Sequence, residues 1–265
     1  MTIEQTLTLL GIGAVAGVMA GMFGLGGGAI IVPALMFLMG FSQTEANGTS
    51  LAALVLPVGI FACIAYYRQG KLRLRSSAAT ALGLVMGTGI GASIALGLPR
   101  EVLSVAYGVF LVYIGWRYAS PRQWFLETRG IPAPPVPEES DVDTDALPVI
   151  AFCVGIGVLA GVLGGMFGIG GGTIIITALV AIGFDHKLAT GTSLGALLLP
   201  VGLPAAVSYY NAGQLNLSAV LPLLSTLVVF QIFGARMTLS LPASTVKRLF
   251  GVFLLVVSLR YLLVL

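Results

Sequence analysis

Residues 21–35 read GMFGLGGGAIIVPAL, and residues 165–179 read GMFGIGGGTIIITAL. Between Phe23 and Ile31 the two copies differ only at Leu25/Ile169 and Ala29/Thr173. Both sit in strongly apolar surroundings, and both place three consecutive glycines where a helix would otherwise continue. Glycine weakens a helix by about 1 kcal/mol relative to alanine, and it alone adopts positive φ without steric cost. Three in a row between apolar flanks therefore predict a built-in helix break, present twice.

The rest of the composition says what kind of helices are being broken. The chain has 265 residues, 57% hydrophobic and 9% charged, with mean hydropathy +1.03. A soluble domain carries about 25% charged residues, so an ordinary water-soluble fold is excluded. Apolar runs continue for about twenty residues instead of alternating, which excludes an outer-membrane barrel. The fold class is all-α polytopic membrane protein. The net charge of +3 belongs to loops beside a membrane and implies no nucleic acid. Cys63 and Cys153 fall at non-corresponding places in the two halves, so packed thiols are expected, with no metal site and no cofactor. The N-terminal stretch MTIEQTLTLLGIG lacks a basic leader and reads as the start of a retained span.

Five apolar segments occupy the first half, at about 5–24, 28–40, 46–67, 76–97 and 101–119. The second is too short to cross a bilayer alone, and 5–40 is too long for one helix at 1.5 Å per residue. A hairpin turning at Gly24–Gly28 resolves both. The second half repeats the plan at about 149–168, 172–183, 189–210, 218–240 and 243–264. Asn47-Gly-Thr-Ser-Leu matches Thr190-Gly-Thr-Ser-Leu, Leu56-Pro-Val-Gly matches Leu199-Pro-Val-Gly, and Tyr66-Tyr67 matches Tyr209-Tyr210. The expected organisation is a membrane repeat over 1–119, a solvated Pro-rich and acidic linker over 120–146, and a second repeat over 147–265.

Charge tells the copies apart. The loop RQGKLRLR, residues 68–75, is basic, and its counterpart NAGQLNLS, residues 211–218, is uncharged. Conversely, FDHKLAT gains Lys187 over FSQTEAN, and LPASTVKR gains Lys247 and Arg248 over LPREVLS. Basic loops face the cytoplasm, so alternating charge implies inverted-topology repeats, each with an odd number of membrane segments. Arg260 departs from that pattern, as a long side chain near a span end can by snorkelling. A parallel arrangement stays open. The linker is expected on the cytoplasmic side.

In lipid a broken helix survives only where it is buried in protein or lines a wet cavity. The helices that start near Gly28 and Gly172 would aim their N-termini, with unpaired N–H groups and about half a positive charge each, at the break. Two such ends make an anion site. The candidate substrate-binding residues are Gly26, Gly27, Gly28, Asn47, Thr49, Ser50, Gly170, Gly171, Gly172, Thr173, Thr192 and Ser193. The hydroxyls and Asn47 have a second reading, as caps of the helices that follow each hairpin. Gly17/Gly21, Gly87/Gly91 and Gly161/Gly165, spaced as G-x-x-x-G, read as helix-packing contacts. Pro57 and Pro200 are expected to loosen the third helix of each repeat. GTSLG at 191–195 matches a nucleophile elbow only in form, since the strand-to-helix context and a His partner are missing; no catalytic residue is expected. All ten acidic residues lie at segment ends or in loops, and Gln231 and Arg236 are the polar intruders deep in the second half.

The doubled G-x-F-G-[LI]-G-G-G, each copy followed by G-T-S-L, a mid-helix proline and a tyrosine-ended loop, resembles the TauE/SafE sulfite exporter family. Thr177 departs from the first copy, which has Pro33. The resemblance implies export of small sulfur oxyanions, such as sulfite or organosulfonates, across a bacterial cytoplasmic (inner) membrane. The partners it implies are that anion and the lipid bilayer, with homo-oligomers left open. Transport of another small anion, or uptake, is the alternative; an intramembrane enzyme is a more distant one.

Overall fold

A computed structural model describes residues 2–23, 26–56, 59–121, 146–237 and 243–263. The glycine runs do what their freedom allows. Gly26 and Gly27 take φ of 75° and 83°, and Gly170 and Gly171 take 76° and 80°. Two consecutive left-handed residues turn the chain sharply, and only glycine enters that region at little cost. The first hairpin is α1 (Ile3–Phe23) and α2 (Gly28–Met39). Its counterpart is α7 (Leu147–Phe167) and α8 (Gly172–Ala181).

The expected third helices, 46–67 and 189–210, are not continuous. Each is two helices: α3 (Gln43–Ala53) with α4 (Ile60–Arg68), and α9 (His186–Leu197) with α10 (Leu203–Asn211). In the second repeat proline is the physical reason. Pro200 has no N–H to give, and its ring clashes with the carbonyl one turn back. A tight turn replaces the helix, with Val201 N–H on Leu199 O at 2.6 Å and Leu203 N–H on Pro200 O at 3.0 Å. Pro57 itself, residues 122–145 of the expected linker and residues 238–242 lie outside the described residues. Proline alone does not force a stop, because Pro33 and Pro222 are carried inside their helices.

The remaining helices are α5 (Leu74–Gly97), α6 (Arg100–Ala119), α11 (Leu217–Met237) and α12 (Ala243–Leu263). Among the described residues, α1, α5, α6, α7 and α11 are long and apolar enough to cross a bilayer. The chain is an all-helical, multi-pass membrane protein.

Small residues decide which helices meet. Gly83, Gly87 and Gly91 of α5 lie against the backbone of Val154–Val158, Val158–Val162 and Val162–Met166 of α7, so closely that any Cβ would collide. The expected packing role of the spaced glycines is met here, since close approach is what small residues supply in lipid. Gly13 and Gly17 of α1 lie against Leu223 and Leu227 of α11, and Gly234 lies against Val18. Each repeat's first helix thus packs along the other repeat's fourth. Ile175, Ile176 and Leu179 of α8 close an apolar core with Leu84 and Ala160.

Residue order along these seams gives direction. α5 runs parallel to α7, and α1 parallel to α11. α5 also runs parallel to α9 and α10: Ser77 meets Thr192, Thr88 meets Val201, and Gly89 meets Pro204. Between α10 and α11 the chain reverses over residues 212–216, with Gly213 at φ 68° and Gln214 N–H on Tyr209 O at 2.8 Å. Equivalent helices α1 and α7 therefore run in opposite directions.

By contacts the described helices form two units, α1–α5 with α7–α11, and α6 with α12. In the second unit α6 and α12 are antiparallel, with Gly108 beside Tyr261 and Gly115 beside Leu255. Tyr107 and Tyr261 meet there edge to face at 5.1 Å.

Candidate functional site

The two hairpin tips meet. Gly28, the first residue of α2, lies directly against the Gly168 carbonyl and the Ile169 backbone, and a side chain at position 28 would overlap both. Beside this contact is a cavity of about 40 Å³, room for on the order of two or three waters. Gly26 and Gly170 line it from the tips. Leu51, Leu54, Leu56 and Gly59 line it from the α3–α4 break, and Leu194, Leu197, Val201 and Gly202 from the α9–α10 break. The last lining residue is Gln231 of α11. Both glycine tips and both breaks of the third segments converge on one small chamber.

Its polar content is narrow. Among the described lining residues there is no Lys, Arg, His, Asp or Glu. The Gln231 side chain is 6% exposed, and its Oε1 has no hydrogen-bond partner. Leaving such an acceptor buried and unmatched costs about 1–3 kcal/mol. The equivalent residue of the first repeat is Thr88, which is spent: its Oγ1 donates to Val201 O at 2.8 Å.

The other sequence-expected polar residues come together, but one layer behind the cavity. Asn47 Nδ2 donates to Met166 O at 2.7 Å, and Ser50 Oγ to Gly168 O at 2.9 Å. Tyr209 Oη donates to Gly165 O at 3.0 Å. These are carbonyls at the C-terminal end of α7, which the helix itself leaves unpaired. Ser193 Oγ donates to Gly172 O at 3.4 Å. Thr49 Oγ1 accepts from Asn216 N–H at 3.1 Å, and Thr192 Oγ1 accepts from Arg73 N–H at 3.4 Å, immediately before α11 and α5 respectively.

The capping expectation is thereby corrected. The N-cap positions of α3 and α9 are Ser42 and Asp185, and Ser42 Oγ accepts from Glu45 N–H at 3.2 Å. Asn47, Thr49, Ser50, Thr192 and Ser193 sit inside the helices, buried, tying the tips and the neighbouring repeat's fourth helix in place. Of the glycines, Gly26 and Gly170 reach the cavity. Gly27 and Gly171 turn against the Ala16 and Ala160 carbonyls, and Gly28, Gly172 and Thr173 open α2 and α8. Sequence reasoning marked Gln231 as an intruder without giving it a role; a lone amide inside an apolar span was the available signal. Tyr209 was read only as a repeat marker.

A second equivalent pair links the two repeats. Lys71 Nζ and Asp185 Oδ2 form an ion pair at 3.3 Å. At the matching positions of the opposite repeats, Gln214 Oε1 accepts from Thr44 Oγ1 at 2.6 Å and from Ser42 Oγ at 3.3 Å.

Comparison with known proteins agrees with this architecture. The family model described as "Sulfite exporter TauE/SafE" matches residues 9–261. A "probable membrane transporter protein" of Haemophilus influenzae is 29% identical, over 96% of this chain and 97% of that one. The "probable membrane transporter protein YunE" of Bacillus subtilis is 29% identical, over 78% and 79%. An archaeal relative, a "probable membrane transporter protein" of Methanocaldococcus jannaschii, is 27% identical over 77% of this chain and 72% of its own. No solved structure matches.

Proposed function

The chain belongs to the sulfite exporter TauE/SafE family, and on that footing we propose that it is a secondary transporter of small sulfur-containing anions, sulfite or an organosulfonate. The anion binds between the glycine tips and is exported across the bacterial cytoplasmic membrane by alternating access. The observation that carries this reading is the chamber where both tips meet, with the N-termini of α2 and α8 beginning two residues from its wall. Helix N-termini favour anions through their exposed N–H groups and partial positive charge.

Within this reading the two repeats stand inverted in the membrane, supported by the opposite courses of α1 and α7 and by the alternation of basic loops. The linker is cytoplasmic. Gly26, Gly27, Gly28, Gly170, Gly171, Gly172 and Thr173 present the N–H groups. Asn47, Thr49, Ser50, Thr192 and Ser193 hold those tips at the spacing the anion needs. Substrate passes through unchanged, with no chemical step.

No carboxylate lies at the middle of a span, so flux needs no proton. The membrane potential, negative inside, favours anion exit by about 2.3 kcal/mol per charge per 100 mV. Proteoliposomes loaded with sulfite test this. Efflux driven by voltage alone is the expected result; efflux under a pH gradient but none under voltage refutes the uncoupled mechanism.

A further inference from the structure

Resting on the tips as the anion site, we infer that the chamber accepts one negative charge rather than two, and that Gln231 is the side chain that hydrogen-bonds the ligand. The chemical class is a small monoanion, such as a sulfonate, taken in preference to a divalent oxyanion.

Two independent observations support this. The first is the charge available. Each helix N-terminus supplies about half an elementary positive charge and each C-terminus about half a negative one; at the two breaks the C-termini of α3 and α9 offset the N-termini of α4 and α10, which leaves the two N-termini at the tips, about one charge in sum. No cationic side chain is among the described lining residues, and six of the eleven are Leu or Val–Leu51, Leu54, Leu56, Leu194, Leu197 and Val201. A monoanion is therefore compensated. A dianion keeps about one charge unpaired in an apolar chamber, which is strongly unfavourable. The second is the Gln231 amide. It is the one side chain in the described lining that offers hydrogen bonds, and its Oε1 has no partner in the protein. Its Nε2 stands 3.9 Å from where a Cβ on Gly59 would lie, beside the α3–α4 break. A primary amide both donates and accepts: it can donate its N–H to an oxyanion oxygen and accept a hydrogen bond from a ligand hydroxyl or its water through oxygen.

The repeats sharpen the point. Thr88, the equivalent of Gln231, is already committed to the Val201 carbonyl. Recognition is consequently one-sided, although the backbone around the chamber is built twice. A ligand is held by two similar helix ends and by one amide from the second repeat.

The test uses the full chain in proteoliposomes with methanesulfonate and sulfate as probes, two tetrahedral sulfur anions of charge one and two. Wild type is expected to move methanesulfonate at least about tenfold better than sulfate. Gln231→Leu should lose roughly ten- to a hundredfold in apparent methanesulfonate affinity, the worth of one hydrogen bond to a charged group. Gln231→Lys adds the missing charge and should raise sulfate flux relative to methanesulfonate. Equal wild-type flux of the two probes overturns the single-charge inference, and needs no variant to fold. Unchanged affinity in Gln231→Leu together with an unchanged ratio in Gln231→Lys overturns the role of Gln231. In either case sulfite transport persists and the anion-site reading stands. If wild type moves none of sulfite, methanesulfonate and sulfate, that reading itself is overturned, and this inference with it.

Discussion

The two repeats share a backbone plan and diverge in what they hang on it. Each has a glycine tip, a break in its third segment and a long helix packed against the other repeat. Yet Gln231 faces the chamber unpaired where Thr88 is bonded, and the Lys71–Asp185 ion pair stands where the other repeat uses Gln214 with Ser42 and Thr44. Backbone geometry thus creates a site with near-equal halves, and a few side chains make the halves unequal. On the proposed reading, the difference teaches that symmetry belongs to the route, while selectivity belongs to one side of it.

The harshest way to break the comparison is to fill the contact where the halves touch. Gly28→Ala puts a Cβ into the Gly168 carbonyl, backbone against backbone, with no flexible side chain to yield. Transport should fall by more than about a hundredfold, because overpacking a rigid contact costs about 1–3 kcal/mol and displaces the tip. Gly11→Ala, where a Cβ meets nothing within 4 Å, should leave flux unchanged in the same liposome assay.

Next in size is the latch on the second tip. Asn47→Ala strips the bond to the Met166 carbonyl, and should destabilise by about 1–3 kcal/mol because a buried acceptor loses its donor. Its sequence equivalent, Thr190, bonds only within its own helix, to the carbonyl and the ring Nδ1 of His186, in an exposed position. Thr190→Ala should therefore shift stability by no more than about 0.5 kcal/mol. Thermal unfolding of the two purified variants in detergent checks both. Equal losses would mean that the halves are latched alike.

The smallest effect concerns the Lys71–Asp185 pair. Lys71 and Asp185 side chains are 32% and 26% exposed, so the ion pair is worth about 0–1 kcal/mol and is screened by salt. Lys71→Gln should change flux less than about fivefold, and the change should shrink as salt rises. Gln214→Ala, on the neutral pair, should show no such salt dependence. Flux measured across a salt series separates the two.

Much of this architecture was legible beforehand. Doubled glycines with apolar flanks gave the hairpins to within two residues at each end, since no other residue supports consecutive positive φ. Lengths of the apolar runs located the long helices. The breaks in the third segments were harder to read, because proline in a membrane helix has two outcomes: Pro33 and Pro222 are absorbed, whereas Pro200 ends α9. What distinguishes them is tertiary, the neighbouring elements that re-satisfy freed backbone groups. The hydroxyls had two readings, and the cap reading fails because their partners lie in other elements: Ser50 donates to the Gly168 carbonyl, 118 residues away, and Thr49 and Thr192 accept from the N–H groups of Asn216 and Arg73. Gln231 had no motif around it, and only the chamber gives it a purpose.

The central claim is that an anion sits between the tips. Anomalous diffraction from crystals grown with selenite, a heavier analogue of sulfite, measures that directly. The account predicts a selenium peak in the chamber within hydrogen-bonding distance, about 3 Å, of a backbone N–H of the Gly26–Gly28 or Gly170–Gly172 stretch. A peak confined to any other part of the protein, with the chamber empty, would contradict it.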